Sequence, residues 1–202
     1  MPRKNIELLI FDLGKVLIDF DFRKVIHALK TYTPKNKTAI HTFFKTTPLW
    51  DRFERGHLKP KAFFKELQTE LDLRDLTYTE FEKLWNDIFT EKKDSIALLK
   101  TLKGKYQLAM LSNVNQLHWE FVKGKHSFMK WFDHPVASYA VGHRKPEPAI
   151  FHHTLKKAGI PAERALFTDD LKPHIVAAKK IGIHGIHFKN AAQLKKDLQQ
   201  IL

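Results

Sequence analysis

The chain has 202 residues, enough to bury one α/β core together with an inserted segment. A hydrophobic fraction of 43% excludes an intrinsically disordered protein, and the absence of cysteine excludes disulfides, a thiol nucleophile and a cysteine-ligated zinc site. The formal net charge of +13 comes from lysine pairs scattered along the chain rather than from one basic stripe. We therefore expect no nucleic-acid partner, although the same positive field would attract a phosphorylated metabolite.

The first strand signal is the apolar run from Leu8 to Phe11, which is typical of a strand buried on both faces. Asp12 follows it directly, and Gly14 comes two residues later. Ligands of open α/β sheets bind beyond the carboxyl ends of the strands, and glycine lets the backbone approach a ligand closely. Asp12 and Gly14 are therefore candidate site residues, although an isolated Asp-x-Gly sequence more often forms a turn.

Between Leu17 and residue 94 the sequence pattern predicts helices, because apolar residues recur there at spacings of three and four. The predicted helices cover residues 22–32, 37–45, 62–71 and 79–89. After Leu17 no strand signal occurs for about eighty residues, which is too long for an ordinary loop. We expect residues 18–94 to form a helical cap over the end of the first strand, inserted into a core made of residues 1–17 and 95–202.

From residue 95 onward, helix and strand signals alternate. The predicted helices cover residues 95–103, 121–132 with a break at Gly124, 148–158, 173–181 and 191–201. The predicted strands cover residues 106–111, 135–139, 164–168 and 183–188. This alternation predicts an α/β fold whose core is a Rossmann-like, doubly wound parallel sheet with right-handed crossovers.

Polar residues follow the ends of several predicted strands. Besides Asp12, these residues are Ser112-Asn113 and Asp169-Asp170, and Lys145 lies just beyond the end of a further strand. A parallel sheet brings the carboxyl ends of its strands to one edge. Each residue alone has an ordinary structural explanation, such as a turn or a helix cap. Their coincidence at one edge indicates a single site.

These residues and their order resemble the four motifs of the haloacid dehalogenase-like (HAD) superfamily. The four stretches are Phe11-Asp12-Leu13-Gly14-Lys15-Val16, Leu111-Ser112-Asn113, Arg144-Lys145-Pro146-Glu147-Pro148 and Phe167-Thr168-Asp169-Asp170. The first stretch, followed by Ile18-Asp19-Phe20-Asp21, is most similar to the branch that contains sugar-1-phosphate phosphatases. The resemblance covers essentially the whole chain, and the helical insertion lies where that branch carries its cap.

The resemblance implies a hydrolase of phosphoric monoesters that acts on a small phosphorylated metabolite, such as a sugar phosphate. Asp12 and Lys145 are the implied catalytic residues, with Asp12 attacking phosphorus to form an aspartyl-phosphate. The implied phosphate-binding groups are the Ser112 hydroxyl, the Asn113 backbone amide and the Lys145 ammonium.

A carboxylate and a phosphate repel each other, so the resemblance also implies a bridging Mg²⁺ ion. Its ligands would be Asp12, the Gly14 carbonyl and Asp169. Asp170 completes the implied metal site, either binding through water or orienting Lys145.

The sequence departs from the family pattern at two positions. Most phosphatases of this superfamily carry a second Asp, which protonates the leaving group, where this chain has Gly14. We expect either a substrate with a good leaving group, such as an anomeric sugar phosphate, or a proton donated by His143 or a cap residue. His174 stands where related sequences often carry Asn, and we expect it to be a surface histidine near a helix start.

Two other functions remain open at this stage. A 2-haloacid dehalogenase shares the fold and the nucleophilic Asp but attacks carbon and needs no metal, which the pair Asp169-Asp170 argues against. A catalytically degenerate binding module is the second alternative. The apolar run before Asp12 is too short for a signal peptide and no stretch is long enough to span a membrane, so we expect a soluble, cytoplasmic protein that is a monomer or a weak dimer.

Overall fold

The computed structural model describes residues 5–202, and residues 1–4, which begin the predicted core segment, lie outside the described residues. The strands in this range are β1 (Leu8–Phe11), β2 (Ile18–Phe20), β3 (Phe89–Glu91), β4 (Gln107–Ser112), β5 (His134–Ala137), β6 (Ala165–Asp169) and β7 (His184–His187). The helices are α1 (Arg23–Leu29), α2 (Lys37–Thr46), α3 (Leu49–Glu54), α4 (Pro60–Leu71), α5 (Tyr78–Asn86), α6 (Lys93–Leu102), α7 (Gln116–Lys125), α8 (Ser138–Val141), α9 (Pro148–Ala158), α10 (Lys172–Lys180) and α11 (Ala191–Ile201).

A parallel sheet with the strand order β5-β4-β1-β6-β7 lies at the centre of the molecule. Its middle strand, β1, places Phe11 opposite Met110 of β4 on one side and Thr168 of β6 on the other. All neighbouring strands of this sheet run parallel. The predicted α/β fold is confirmed, and each of these strands begins and ends within two residues of its predicted bounds.

Helices cover both faces of the sheet, as the doubly wound prediction requires. Leu9 and Phe11 of β1 belong to an apolar cluster with side chains from α6, α7 and α11. Leu8 and Ile10 belong to a second cluster with side chains from α9 and α10. Successive residues of a strand point to opposite faces, so a strand that is covered on both faces is apolar throughout.

Helices α1 to α5 share an apolar cluster of their own, whose buried members include Val25, Phe53, Phe63 and Trp85. The rings of Phe53 and Phe63 stack with their centroids 4.0 Å apart. Leu117 of α7 also belongs to this cluster, so it ties the inserted segment to the rest of the molecule. The division of the chain into a core and a cap stays a prediction.

A small antiparallel sheet joins the two ends of the insertion, and the sequence did not predict it. Ile18 of β2 lies opposite Glu91 of β3, and Phe20 lies opposite Phe89. The prediction that strand signals stop after Leu17 is therefore wrong, and the helix predicted over residues 79–89 ends at Asn86. Each strand has three residues, and its partner lies at the far end of the insertion, so no local pattern reports the pairing.

The predictions for α3 and α7 need correction. Helix α3 was not predicted, because a helix of six residues is shorter than the window in which periodicity can be recognised. Helix α7 continues through Gly124 and ends at Lys125, so the predicted break at Gly124 is wrong. One glycine in a helix costs only about 1 kcal/mol, which tertiary packing readily offsets. Every helix in residues 5–202 is too short or too polar to cross a lipid bilayer.

Candidate active site

Asp12 lies at the carboxyl end of the central strand. Its backbone N–H donates to the Thr168 carbonyl of β6 over 2.9 Å, which continues the strand pairing by one residue. Its side chain is buried, and Oδ1 accepts a hydrogen bond of 2.7 Å from the Leu13 N–H. The pairing of β1 with β6 thus brings Asp12 beside Asp169, the last residue of β6.

The ammonium of Lys145 lies between these two carboxylates. Its Nζ is 2.8 Å from Asp12 Oδ1 and 2.7 Å from Asp169 Oδ2, and all three side chains are buried. Burial disfavours the charged form of Lys145, but Asp12 and Asp169 outweigh it and raise the pKa of the ammonium. Burial raises the pKa of Asp12 despite the attraction of Lys145. Two buried carboxylates as close as Asp12 and Asp169 repel each other, and the charged ammonium of Lys145 offsets this repulsion.

Ser112 is the last residue of β4 and Asn113 follows it, and both line the same cavity as Asp12 and Lys145. The Asn113 side chain forms hydrogen bonds with the backbone of Lys145, an arrangement the sequence did not predict. The predicted phosphate-binding residues are therefore neighbours in space, with Asn113 linking the ends of two chain segments.

Three carboxyl groups meet at the edge of the sheet. One oxygen from each of Asp12, Asp169 and Asp170 lies within 4.8 Å of the other two. An all-oxygen donor set at this spacing fits the preference of Mg²⁺ for carboxylate ligands. Gly14 also lines the cavity, and the contribution of its carbonyl stays a prediction. Lys145 pairs with Asp12 and Asp169, so these two carboxylates orient the ammonium.

His174 is buried, and the prediction of a surface histidine is wrong. Its Nδ1 lies 3.0 Å from Asp169 Oδ1 and 2.9 Å from Asp169 Oδ2. The N–H of Leu171 also donates to Asp169 Oδ1 over 2.8 Å. Burial opposes ionisation of Asp169, but Lys145 and His174 together lower the pKa of its carboxyl. Asp169 is thus held ionised and in one orientation.

A cavity of about 690 Å³ opens between this edge of the sheet and the insertion. The wall opposite the polar residues is largely apolar and aromatic. Its residues include Phe20, Phe22, Phe44, Trp50 and Phe89. His143, considered above as a proton donor, is exposed, and its Nδ1 lies 3.2 Å from Glu147 Oε2.

A family model described as haloacid dehalogenase-like hydrolase matches residues 6–182. The chain belongs to the haloacid dehalogenase-like hydrolases. It is 28% identical over 205 residues to a D-ribitol-5-phosphate phosphatase of Bacteroides thetaiotaomicron, covering 98% of each chain. It is 24% identical over 194 residues to a sesquiterpene phosphatase of Aspergillus oryzae, covering 96% of this chain and 95% of the relative. A crystal structure of a HAD family enzyme from B. thetaiotaomicron, in complex with magnesium and inorganic phosphate, matches with a TM-score of 0.81 at 26% identity, covering 92% of this chain and 95% of that one.

The site of this HAD hydrolase contains one buried acid that the sequence did not predict. Glu54, at the end of α3, lines the cavity, and its Oε2 lies 2.6 Å from Arg144 Nη2. It was missed because α3 was missed. The apolar pair Leu49 and Phe53, one helical turn apart and followed by Gly56, is the signal that would have predicted a short helix there.

Proposed function

We propose that this HAD hydrolase is a Mg²⁺-dependent phosphatase that removes the phosphate of a small metabolite, in particular a sugar phosphate, through an aspartyl-phosphate at Asp12. The observation that supports this proposal most directly is the meeting of three carboxyl groups and one ammonium at the polar end of the cavity. Phosphoryl transfer requires a nucleophile, positive charge around phosphorus and little else.

Asp12 provides the nucleophile. In the first step, a carboxylate oxygen of Asp12 forms a bond to phosphorus, and the bond from phosphorus to the ester oxygen breaks. In the second step, a water oxygen bonds to the same phosphorus, and the bond to Asp12 breaks, which returns the free carboxylate and releases inorganic phosphate. Dividing one displacement into two lowers the barrier that either step must cross.

Lys145, Ser112 and Asn113 provide positive charge and hydrogen bonds. The Lys145 ammonium, the Ser112 hydroxyl and the Asn113 backbone N–H bind the phosphate oxygens, where negative charge is spread in the transition state. Loss of one such contact raises the barrier by about 3 kcal/mol, roughly a hundredfold in rate.

The metal site consists of Asp12, Asp169, Asp170 and the carbonyl of Gly14. When it is bound there, Mg²⁺ supplies the positive charge that offsets the repulsion between the substrate phosphate and the Asp12 carboxylate. Asp169, which is held by Lys145, His174 and the Leu171 N–H, keeps its oxygens in one arrangement.

The aromatic wall of the cavity provides the binding surface for the rest of the substrate. Rings such as those of Phe20 and Trp50 offer flat apolar surfaces, while the polar groups at the opposite end fix the phosphate. The relatives named above act on a sugar-alcohol phosphate and on a sesquiterpene, so substrates with both polar and apolar leaving groups belong in a first screen.

A panel of phosphorylated metabolites with Mg²⁺ tests the proposal, with the Asp12→Asn variant as the inactive control. We expect release of inorganic phosphate from at least one sugar phosphate, loss of activity in EDTA, and recovery when Mg²⁺ is added back. A dehalogenase would instead release halide from 2-haloacids in the presence of EDTA. Hydrolysis that survives Asp12→Asn would contradict the proposal.

A further inference from the structure

The cavity contains a buried carboxyl group, Glu54, that the mechanism above does not use. We propose that Glu54 is the general acid of this enzyme, which protonates the oxygen of the leaving group as its bond to phosphorus breaks. This inference rests on the proposed phosphatase function and adds to it the residue that supplies the proton.

The backbone of Glu54 is fixed against the phosphate-binding edge of the sheet. Its carbonyl accepts a hydrogen bond of 2.7 Å from Ser138 Oγ. The same Oγ accepts a hydrogen bond of 2.9 Å from the N–H of Val114, which follows Asn113 directly. The buried hydroxyl of Ser138 thus connects the end of α3 to the loop that follows β4. Glu54 therefore lines the cavity from a position that is rigid relative to the nucleophile.

Burial favours a proton on the Glu54 carboxyl, and the carboxylates around it limit the opposing effect of the arginines. Three carboxyl groups, those of Asp51, Glu54 and Glu147, share the guanidinium groups of Arg55 and Arg144. The pKa of Asp51 and that of Glu147 are lowered by hydrogen bonds from Arg55, so these two side chains are ionised and balance the two arginines. Burial raises the pKa of Glu54 despite Arg144. The charged groups that face Glu54 are Arg144, Asp51 and Lys145.

Other positions near the nucleophile are less suited to this role. Gly14 has no side chain, and a Cβ at this position would lie 3.1 Å from Cε1 of Phe20. His118 lines the cavity, but its Nε2 donates to the Trp85 carbonyl over 3.1 Å, and its Nδ1 accepts from the Asn115 side chain over 3.0 Å. Both nitrogens of His118 are therefore occupied.

Glu54 gives up one proton in the first step of the reaction and regains one in the second. As Asp12 bonds to phosphorus, the ester oxygen takes the proton of Glu54 and leaves as an alcohol. Glu54 is then a carboxylate, and it accepts a proton from the water that attacks the aspartyl-phosphate. The enzyme returns to its starting state with Asp12 ionised and Glu54 protonated.

The dependence of kcat/KM on the leaving group tests this assignment, because kcat/KM reports the step in which the ester bond breaks. The substrates are p-nitrophenyl phosphate, whose phenolate leaves without a proton, and the best alkyl phosphate of the panel. In Glu54→Gln, we expect kcat/KM to fall by about a hundredfold or more for the alkyl phosphate and only a few-fold for p-nitrophenyl phosphate.

Glu66→Gln is the matched control, since it removes a carboxyl that pairs with Arg52 on the insertion at a position outside the cavity wall. It should keep the wild-type ratio between the two substrates. Equal losses for both substrates in Glu54→Gln would reduce Glu54 to a structural role and overturn the proposal. A changed ratio in His41→Gln with an unchanged ratio in Glu54→Gln would also overturn it, because His41 is an exposed imidazole of the insertion that lines the same cavity. If wild-type enzyme hydrolysed neither substrate, the proposed function itself would fail.

Discussion

The side chain of Asn113 holds the backbone of Lys145 through a pair of hydrogen bonds. Asn113 Nδ2 donates to the Lys145 carbonyl over 2.9 Å, and the Lys145 N–H donates to Asn113 Oδ1 over 2.8 Å. A primary amide is the side chain that can donate and accept at once in this geometry. The ammonium is thus positioned from both ends, by Asn113 at the backbone and by two carboxylates at Nζ.

We therefore expect Asn113→Ala to lower kcat by up to about a hundredfold, because small displacements of a catalytic group have effects of this size. Steady-state kinetics on the best substrate checks this. Asn190→Ala is the matched control, since Asn190 caps α11 through an equivalent side-chain oxygen and does not line the cavity. An Asn113→Ala enzyme with wild-type kcat would show that the backbone of Lys145 needs no such support.

The second prediction concerns how His174 affects the Mg²⁺ dependence of the activity. Because His174 contacts both oxygens of Asp169, His174→Ala frees a proposed ligand to rotate. We expect the Mg²⁺ concentration that gives half-maximal activity to rise by about tenfold to a hundredfold, with kcat at saturating Mg²⁺ near that of wild type. Activity measured against Mg²⁺ concentration checks this, with the exposed His152→Ala as the control. Unchanged Mg²⁺ dependence would contradict a positioning role.

The sequence predicted the parallel sheet and the residues at its edge because its three central strands each have a continuous apolar signal and a polar residue at or just beyond the end. Leu8–Phe11 followed by Asp12 is the clearest case. The small sheet of Ile18–Phe20 and Phe89–Glu91 could not be predicted, since its stability depends on a partner far away in the chain. Two of the three residues in each strand are exposed, so the strands also lack an apolar run.

Contacts between the side chains of the site were likewise not predictable from the sequence. The sequence indicated Asp12, Lys145 and Asp169 as members of one site, but it did not indicate which residue holds Asp169 in place. That His174 does so follows from the start of α10, which directs the ring back toward the end of β6. Contacts between a helix and the strand before it depend on tertiary geometry, and spacing alone does not reveal them.

Gly56 provides a prediction about stability. Its φ is +71°, and a Cβ would lie 2.0 Å from the carbonyl oxygen of Tyr139, so glycine is required for the close approach of α3 to α8. Gly104 has a similar φ of +78° but nothing within 4 Å of such a Cβ. Gly104→Ala should cost about 1 kcal/mol for its left-handed backbone.

For Gly56→Ala we expect a loss about 2 kcal/mol larger, because the steric clash adds to the backbone cost. Urea denaturation of both variants measures the difference in the free energy of unfolding. Equal losses would show that α3 can move away from Tyr139 at no cost. The position of Glu54 would then be less rigid than its hydrogen bond to Ser138 indicates.

His118 makes stability depend on pH. Burial lowers its pKa from 6.5 to about 4, although its hydrogen bond to the Trp85 carbonyl acts in the opposite direction. Between these two values the unfolded chain binds a proton that the folded chain does not, so stability contributed by neutral His118 is full above pH 6.5 and is lost as the pH falls toward 4. The slope reaches about 1.4 kcal/mol per pH unit.

Replacement of His118 by Gln removes this titration while keeping a side chain that can donate and accept. We expect the free energy of unfolding of His118→Gln to change less steeply with pH than that of wild type over this range. Urea denaturation at a series of pH values measures both slopes. Parallel curves for the two proteins would mean that His118 has its ordinary pKa in the folded state.

The proposed covalent phosphate on Asp12 is the central claim, and trapping it is the most direct test. Enzyme mixed with substrate and Mg²⁺ is quenched in acid within one turnover, reduced with borohydride, which converts an aspartyl-phosphate to homoserine, and digested for peptide mass spectrometry. We expect homoserine in place of Asp12 and unmodified Asp169 and Asp170. Phosphate release with Asp12 unmodified, or modification at another residue, would contradict the account.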